Sequence, residues 1–60
     1  MNGEQAFDLM VKHNIIVIHC DRDQIVFTDD LRYEESYDGD KRSATLRLIE
    51  RVARDRGEQL

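Results

Sequence analysis

Apolar residues along this chain fall first at helical spacing, then in an unbroken β-branched run, then in alternation, and finally at helical spacing again. The opening Asn2, with Gln5 three residues on, has the form of a capping box. Ala6, Phe7, Met10 and Val11 then make one stripe of a short helix that ends near His13–Asn14, where Asn tolerates the left-handed cap conformation. The run from Ile15 to Cys20 is too short for a core helix and predicts a well-buried strand. Asp21–Gln24 has hairpin-loop length, and Ile25–Thr28 is the returning strand.

After a turn at Asp29–Asp30, Leu31, Tyr33, Glu35 and Tyr37 alternate with Arg32, Glu34 and Ser36. That period fits a third, half-exposed edge strand, although an ordered loop would also accommodate a segment so rich in charge. Asp38-Gly39-Asp40 forms the next turn, with Asp40 placed to cap a helix over residues 41–56. In that helix Ala44, Leu48 and Val52, joined by Thr45, Leu46, Ile49 and Ala53, make a broad apolar face. Arg47, Arg51 and Arg54 occupy the opposite side, Glu50 and Arg54 form an i,i+4 pair, and Gly57 stands where the helix should stop. The pattern predicts an α+β domain over residues 1–60, α-β-β-(β)-α, with two helices packed on one face of a small antiparallel sheet. Either Ile16, Ile18 and Cys20 or Ile15, Val17 and His19 must then point away from the helices, and three such residues on an open face invite association, including homodimerisation.

Composition narrows the possible functions. A chain of 60 residues buries only about 60% of its unfolded surface, leaving little room for an interior pocket. An enzyme is therefore not expected. One cysteine, Cys20, excludes an internal disulfide and fits a reducing compartment. No signal-peptide pattern opens the chain, and Ile15–Ile18 is far too short to span a bilayer, so a cytoplasmic protein is expected. Although 37% of residues are charged, the absence of Pro and the clustered aliphatic positions favour a folded chain over a disordered one.

The charge is sorted. Residues 1–20, 21–40 and 41–60 carry −1, −6 and +3, for a net of −4. A strongly negative surface repels nucleic acid and attracts basic proteins. Carboxylates spread over the turn-strand-turn region can imitate phosphate spacing, so Asp29, Asp30, Glu34, Glu35, Asp38 and Asp40, with Tyr33 and Tyr37 as aromatic anchors, form the candidate partner-binding set. The expected partner is a larger, basic, nucleic-acid-binding protein; a merely solubilising surface is the plainer alternative. Arg47, Arg51 and Arg54 are the alternative binding set, able to grip phosphates, although the same stripe describes a solvated helix face.

Other chemistry finds little support. His13, His19 and Cys20 are the only soft ligands, and strand geometry sends adjacent His19 and Cys20 to opposite faces, which argues against both a metal site and a thiol nucleophile. They read as a surface histidine and a buried thiol. Asp38-Gly39-Asp40 resembles the start of a calcium loop, but the fifth and twelfth positions hold Arg42 and Ile49. No catalytic residue, metal or cofactor is expected.

With its acidic run from Asp21 to Asp40 and its short two-helix frame around a hairpin, the chain resembles the small inhibitor proteins of bacteriophages and other mobile elements, of which anti-CRISPR proteins are the best-known group. The resemblance covers the whole chain, is one of type, and transfers no individual residue. It implies a non-enzymatic inhibitor acting as an acidic decoy for a nucleic-acid site. Small antitoxin-like proteins share the frame, which implies instead a dimeric regulator using the arginine face.

Overall fold

The computed structural model describes residues 1–60. Helix α1 spans Gly3–His13, strand β1 Val17–Cys20, β2 Ile25–Thr28, β3 Glu34–Ser36, and helix α2 Lys41–Asp55. The three strands form one antiparallel sheet, as the sequence pattern predicts, in the order β1-β2-β3, and of the alternating segment 31–37 only Glu34–Ser36 is strand.

Local chemistry sets the boundaries. Asn2 accepts from the Gln5 amide at 2.8 Å while the Gln5 side chain accepts from the Asn2 amide at 2.9 Å, completing the capping box. Asn14 closes α1 in the left-handed conformation (φ 53°). Asp40 caps α2 by accepting from the Ser43 amide at 3.0 Å, and Gly57, at φ 99°, follows the helix end in a conformation that side chains resist.

Two small cores meet on α2. Ile49, Val52 and Ala53 pack with Ala6 and Leu9 of α1 and with Ile15. Ala44 and Leu48 pack with Val26 of β2 and Tyr37. Val17 and Tyr33 touch both clusters and join them. Both helices lie on one side of the sheet; α2 makes the close contact with β2 and β3, and α1 rests against α2.

Three details differ from the sequence reading. In α1 the buried residues are Ala6 and Leu9, while Phe7 and Val11 are 65% and 67% exposed. The helix is rotated because it packs mainly on α2, where the narrow Ala6–Leu9 stripe fits beside Ile49 and Ala53, with Ile15 completing the cluster. Secondly, β1 is an edge strand, shorter than the apolar run, with Ile16 and Ile18 pointing out and Ile18 41% exposed. Its apolar run covers both faces, yet only the Val17 and His19 side faces the helices. Thirdly, Leu31 falls in the β2–β3 turn in a left-handed conformation (φ 63°) and is 76% exposed, not inward.

Removing Leu48 tests the shared core. Leu48→Ala deletes a fully buried side chain and should destabilise the fold by about 2–5 kcal/mol, a large share of what a small domain possesses. Leu31→Ala should change stability by no more than about 0.5 kcal/mol. Urea denaturation followed by far-ultraviolet circular dichroism measures both.

Candidate functional site

The register decides which side each carboxylate and tyrosine takes. Val26 lies opposite His19 and Glu35, so these three, with Val17 and Thr28, face the helices. Ile18 lies opposite Phe27 and Phe27 opposite Glu34; Cys20 lies opposite Ile25 and Ile25 opposite Ser36. These residues form the uncovered outer face of the sheet.

Most of the candidate partner-binding set is engaged inside the molecule. Glu35 points at α2, where Arg47 and Arg51 pair with it at 3.2 and 2.9 Å. This explains a carboxylate at an inward position: two guanidinium groups surround it. Tyr37 is only 3% exposed, and its hydroxyl donates to Asp21 at 2.7 Å. Burial, reinforced by that carboxylate, pushes the phenol up to about 12. Tyr33 is half-buried, donates to Asp55 at 2.7 Å, and lies under the Arg51 guanidinium at 5.3 Å. Accepting that hydrogen bond, the Asp55 carboxylate raises the Tyr33 hydroxyl above its ordinary value. Neither tyrosine is free to anchor a partner.

The remaining acids divide between the two ends of the sheet. Asp29 and Asp30 follow β2 at one end; Asp38 and Asp40 follow β3 at the other, beside the Asp21–Gln24 turn. A four-residue strand separates these ends by about 13 Å. Asp30 accepts from the Thr28 hydroxyl at 2.6 Å and the Arg32 amide at 3.1 Å, which lowers its carboxyl in that order of effect. Asp40 is held low by the Ser43 backbone and hydroxyl, and Asp21 by Tyr37 and then Lys41. Asp29, Glu34 and Asp38 have no ion pair and are exposed, with Glu34 on the outer face. The carboxylates thus do not gather into one plate.

The arginine stripe is also occupied. Besides holding Glu35, Arg47 donates to the Ser36 carbonyl at 2.9 Å and Arg51 to the Glu34 carbonyl at 3.3 Å, covering the backbone of edge strand β3. Arg54 pairs with Glu50 at 2.8 Å, as its spacing predicts, and reaches the Leu60 carbonyl at 3.4 Å.

His19 and Cys20 point to opposite faces, as strand geometry requires. The Thr45 hydroxyl donates to the Lys41 carbonyl at 2.8 Å, so its oxygen accepts from His19 Nε2 at 2.8 Å and fixes the proton on that nitrogen. Cys20 is half-exposed on the outer face, not buried, and its thiol donates to Asp23 at 3.6 Å. His13 is largely buried, not a surface residue, and donates to Glu58 at 2.9 Å.

What remains available is the outer sheet face. Ile16, Ile18, Cys20, Ile25 and Phe27 lie together there with Glu34 and Ser36, and no basic side chain stands on its strands. The candidate set taken from charge includes Glu34 but not the apolar residues, of which the sequence pattern offers Ile16, Ile18 and Cys20 as one of two alternative open-face sets. Their signal lay in β1, whose apolar run supplies more faces than two short helices can cover. Comparison with family models, with curated proteins and with solved structures returns no match.

The chain end is fastened by charge. Glu58 pairs with Lys12 and His13, while Arg56 donates to the His13 carbonyl. The hydrogen bond from Lys12, then that from His13, lowers the Glu58 carboxyl below its ordinary value. A lowered folded-state value stabilises above the unfolded value of about 4.3 and is lost as pH falls through the folded value. Urea midpoints of the protein and of Glu58→Gln should therefore differ at neutral pH and converge in acid. A constant difference down to the acid limit would contradict this.

Proposed function

We propose that this chain is a non-enzymatic binding protein whose outer sheet face occupies a basic, nucleic-acid-binding surface of a larger protein, as an acidic inhibitor of the anti-CRISPR kind would. The observation that carries the reading is the uncovered face itself: an apolar centre of Ile16, Ile18, Ile25 and Phe27, crossed by the exposed carboxylate of Glu34, with further acids at both ends. An apolar core with a polar rim is the anatomy of a protein interface. Single-strand nucleic-acid sites combine Lys and Arg with exposed aromatic platforms. Such a site would meet apolar side chains with its aromatics and carboxylates with its cations, and a net charge of −4 would speed the encounter.

This reading moves the contact from the tyrosines to the sheet. It keeps Asp29, Glu34 and Asp38 as the charges a partner would feel and leaves Glu35, Tyr33, Tyr37 and Asp40 to the fold. The alternative of a regulator gripping nucleic acid through Arg47, Arg51 and Arg54 has less support, because each of these side chains already has a carboxylate partner.

The test is capture of nucleic-acid-binding proteins from nuclease-treated bacterial lysate on the immobilised chain. Capture should be competed by added single-stranded DNA or RNA, weakened by salt, and lost with Ile18→Lys and with Glu34→Lys, both surface changes that leave the fold intact. Capture that neither variant disturbs, or that nucleic acid does not compete, would overturn the reading. A dimer in solution that Ile18→Lys dissociates, with no partner captured, would assign the face to a second copy instead.

A further inference from the structure

A second unused surface lies on the helical side. The first halves of α1 and α2, together with His19 of β1, line an open groove of about 630 Å³, within the range of small-molecule sites. Ala6, Phe7 and Met10 form one wall, Leu46 and Ile49 the other, and the His19–Thr45 pair lies beneath. Phe7, out of place for a core residue at 65% exposed, lies along this groove.

Charge at the groove is the reverse of the rest of the molecule. In a chain of 13 acidic residues, none lines it, whereas Lys41 and Arg42 stand at its edge. Lys41 is already paired with Asp21 at 3.0 Å. Arg42 is different. Each of the other eight Lys and Arg side chains has a carboxylate or carbonyl partner, and Arg42 has none. It extends across to the start of α1, where a methyl group placed on Gly3 would come 3.1 Å from Nη2. A guanidinium held over an acid-free apolar groove is suited to bidentate contact with a carboxylate whose apolar body lies between the helices.

We propose that this groove binds a small amphipathic monocarboxylate of the medium-chain fatty-acid class, with its carboxylate on Arg42 and its chain against Phe7, Met10 and Leu46. The site is separate from the outer sheet face, so either can be correct without the other.

The test is a titration with decanoate, kept below its micelle-forming concentration and followed by methyl nuclear magnetic resonance. Saturable shifts should appear at Ala6, Met10, Leu46 and Ile49, with those of Ile16, Ile18 and Ile25 unmoved. Decanol, with the same chain and no carboxylate, should bind about tenfold more weakly, and Arg42→Gln should reduce decanoate binding by about the same factor while leaving decanol unchanged. Because Arg42 supports no other residue, that variant should remain folded. Absence of saturation, equal affinity for decanoate and decanol, indifference to Arg42→Gln, or shifts centred on the outer sheet face would each overturn the proposal. Groove shifts that follow protein concentration rather than decanoate would overturn it too, placing a second copy there.

Discussion

One helix has to serve two cores, and the rest of the molecule follows from that constraint. The apolar arc of α2 is wide enough to bury Ile49, Val52 and Ala53 against α1 while Ala44 and Leu48 press on Val26 and Tyr37. Ala44 and Ala53, both fully buried, let neighbouring backbones approach closely. Because α2 lies over β2 and β3, α1 is left beside it rather than spread over the sheet. The two helices leave apolar surface open in two places: on the outer sheet face, and between the helices above β1. Both follow from surface-to-volume scaling in a small domain.

The same economy governs charge. The acidic middle third and the basic last third face each other across the α2–β3 contact, and the fold uses part of that attraction internally. Glu35 takes two arginines, Tyr33 is held between Arg51 and Asp55, and Asp21 binds both Tyr37 and Lys41. Ion pairs this exposed contribute little stability individually; their clearer effect is to orient side chains and to cover the backbone of β3. They also decide which carboxylates of the candidate set stay without an ion pair, namely Asp29, Glu34 and Asp38, and they leave Arg42 as the one base with neither a carboxylate nor a carbonyl partner.

Much of the fold was legible in the sequence because its signals are local. A capping box, an Asn cap, an Asp cap and a terminal Gly delimit the helices through contacts no more than a few residues long, and the period-2 pattern indicated a third strand despite its charges, although only Glu34–Ser36 of the alternating segment forms it. The orientation of α1 was not legible. Phe7 and Val11 are as apolar as Leu9, and only the position of α2 determines which stripe is buried. For the binding set, composition identified an acidic segment but could not separate carboxylates that face solvent from those that face arginines.

The amino-acid sequence by itself determined the element order, the caps, the strand faces and the sorting of charge, since each depends on chemistry between near neighbours or on a fixed backbone period. The tertiary structure alone decided that Glu35 meets two arginines and Tyr37 meets Asp21, that the acids divide between opposite ends of the sheet, and that Arg42 is left without a partner over an apolar groove. Those outcomes depend on which residues distant in sequence meet across α2, and a linear pattern does not contain those distances.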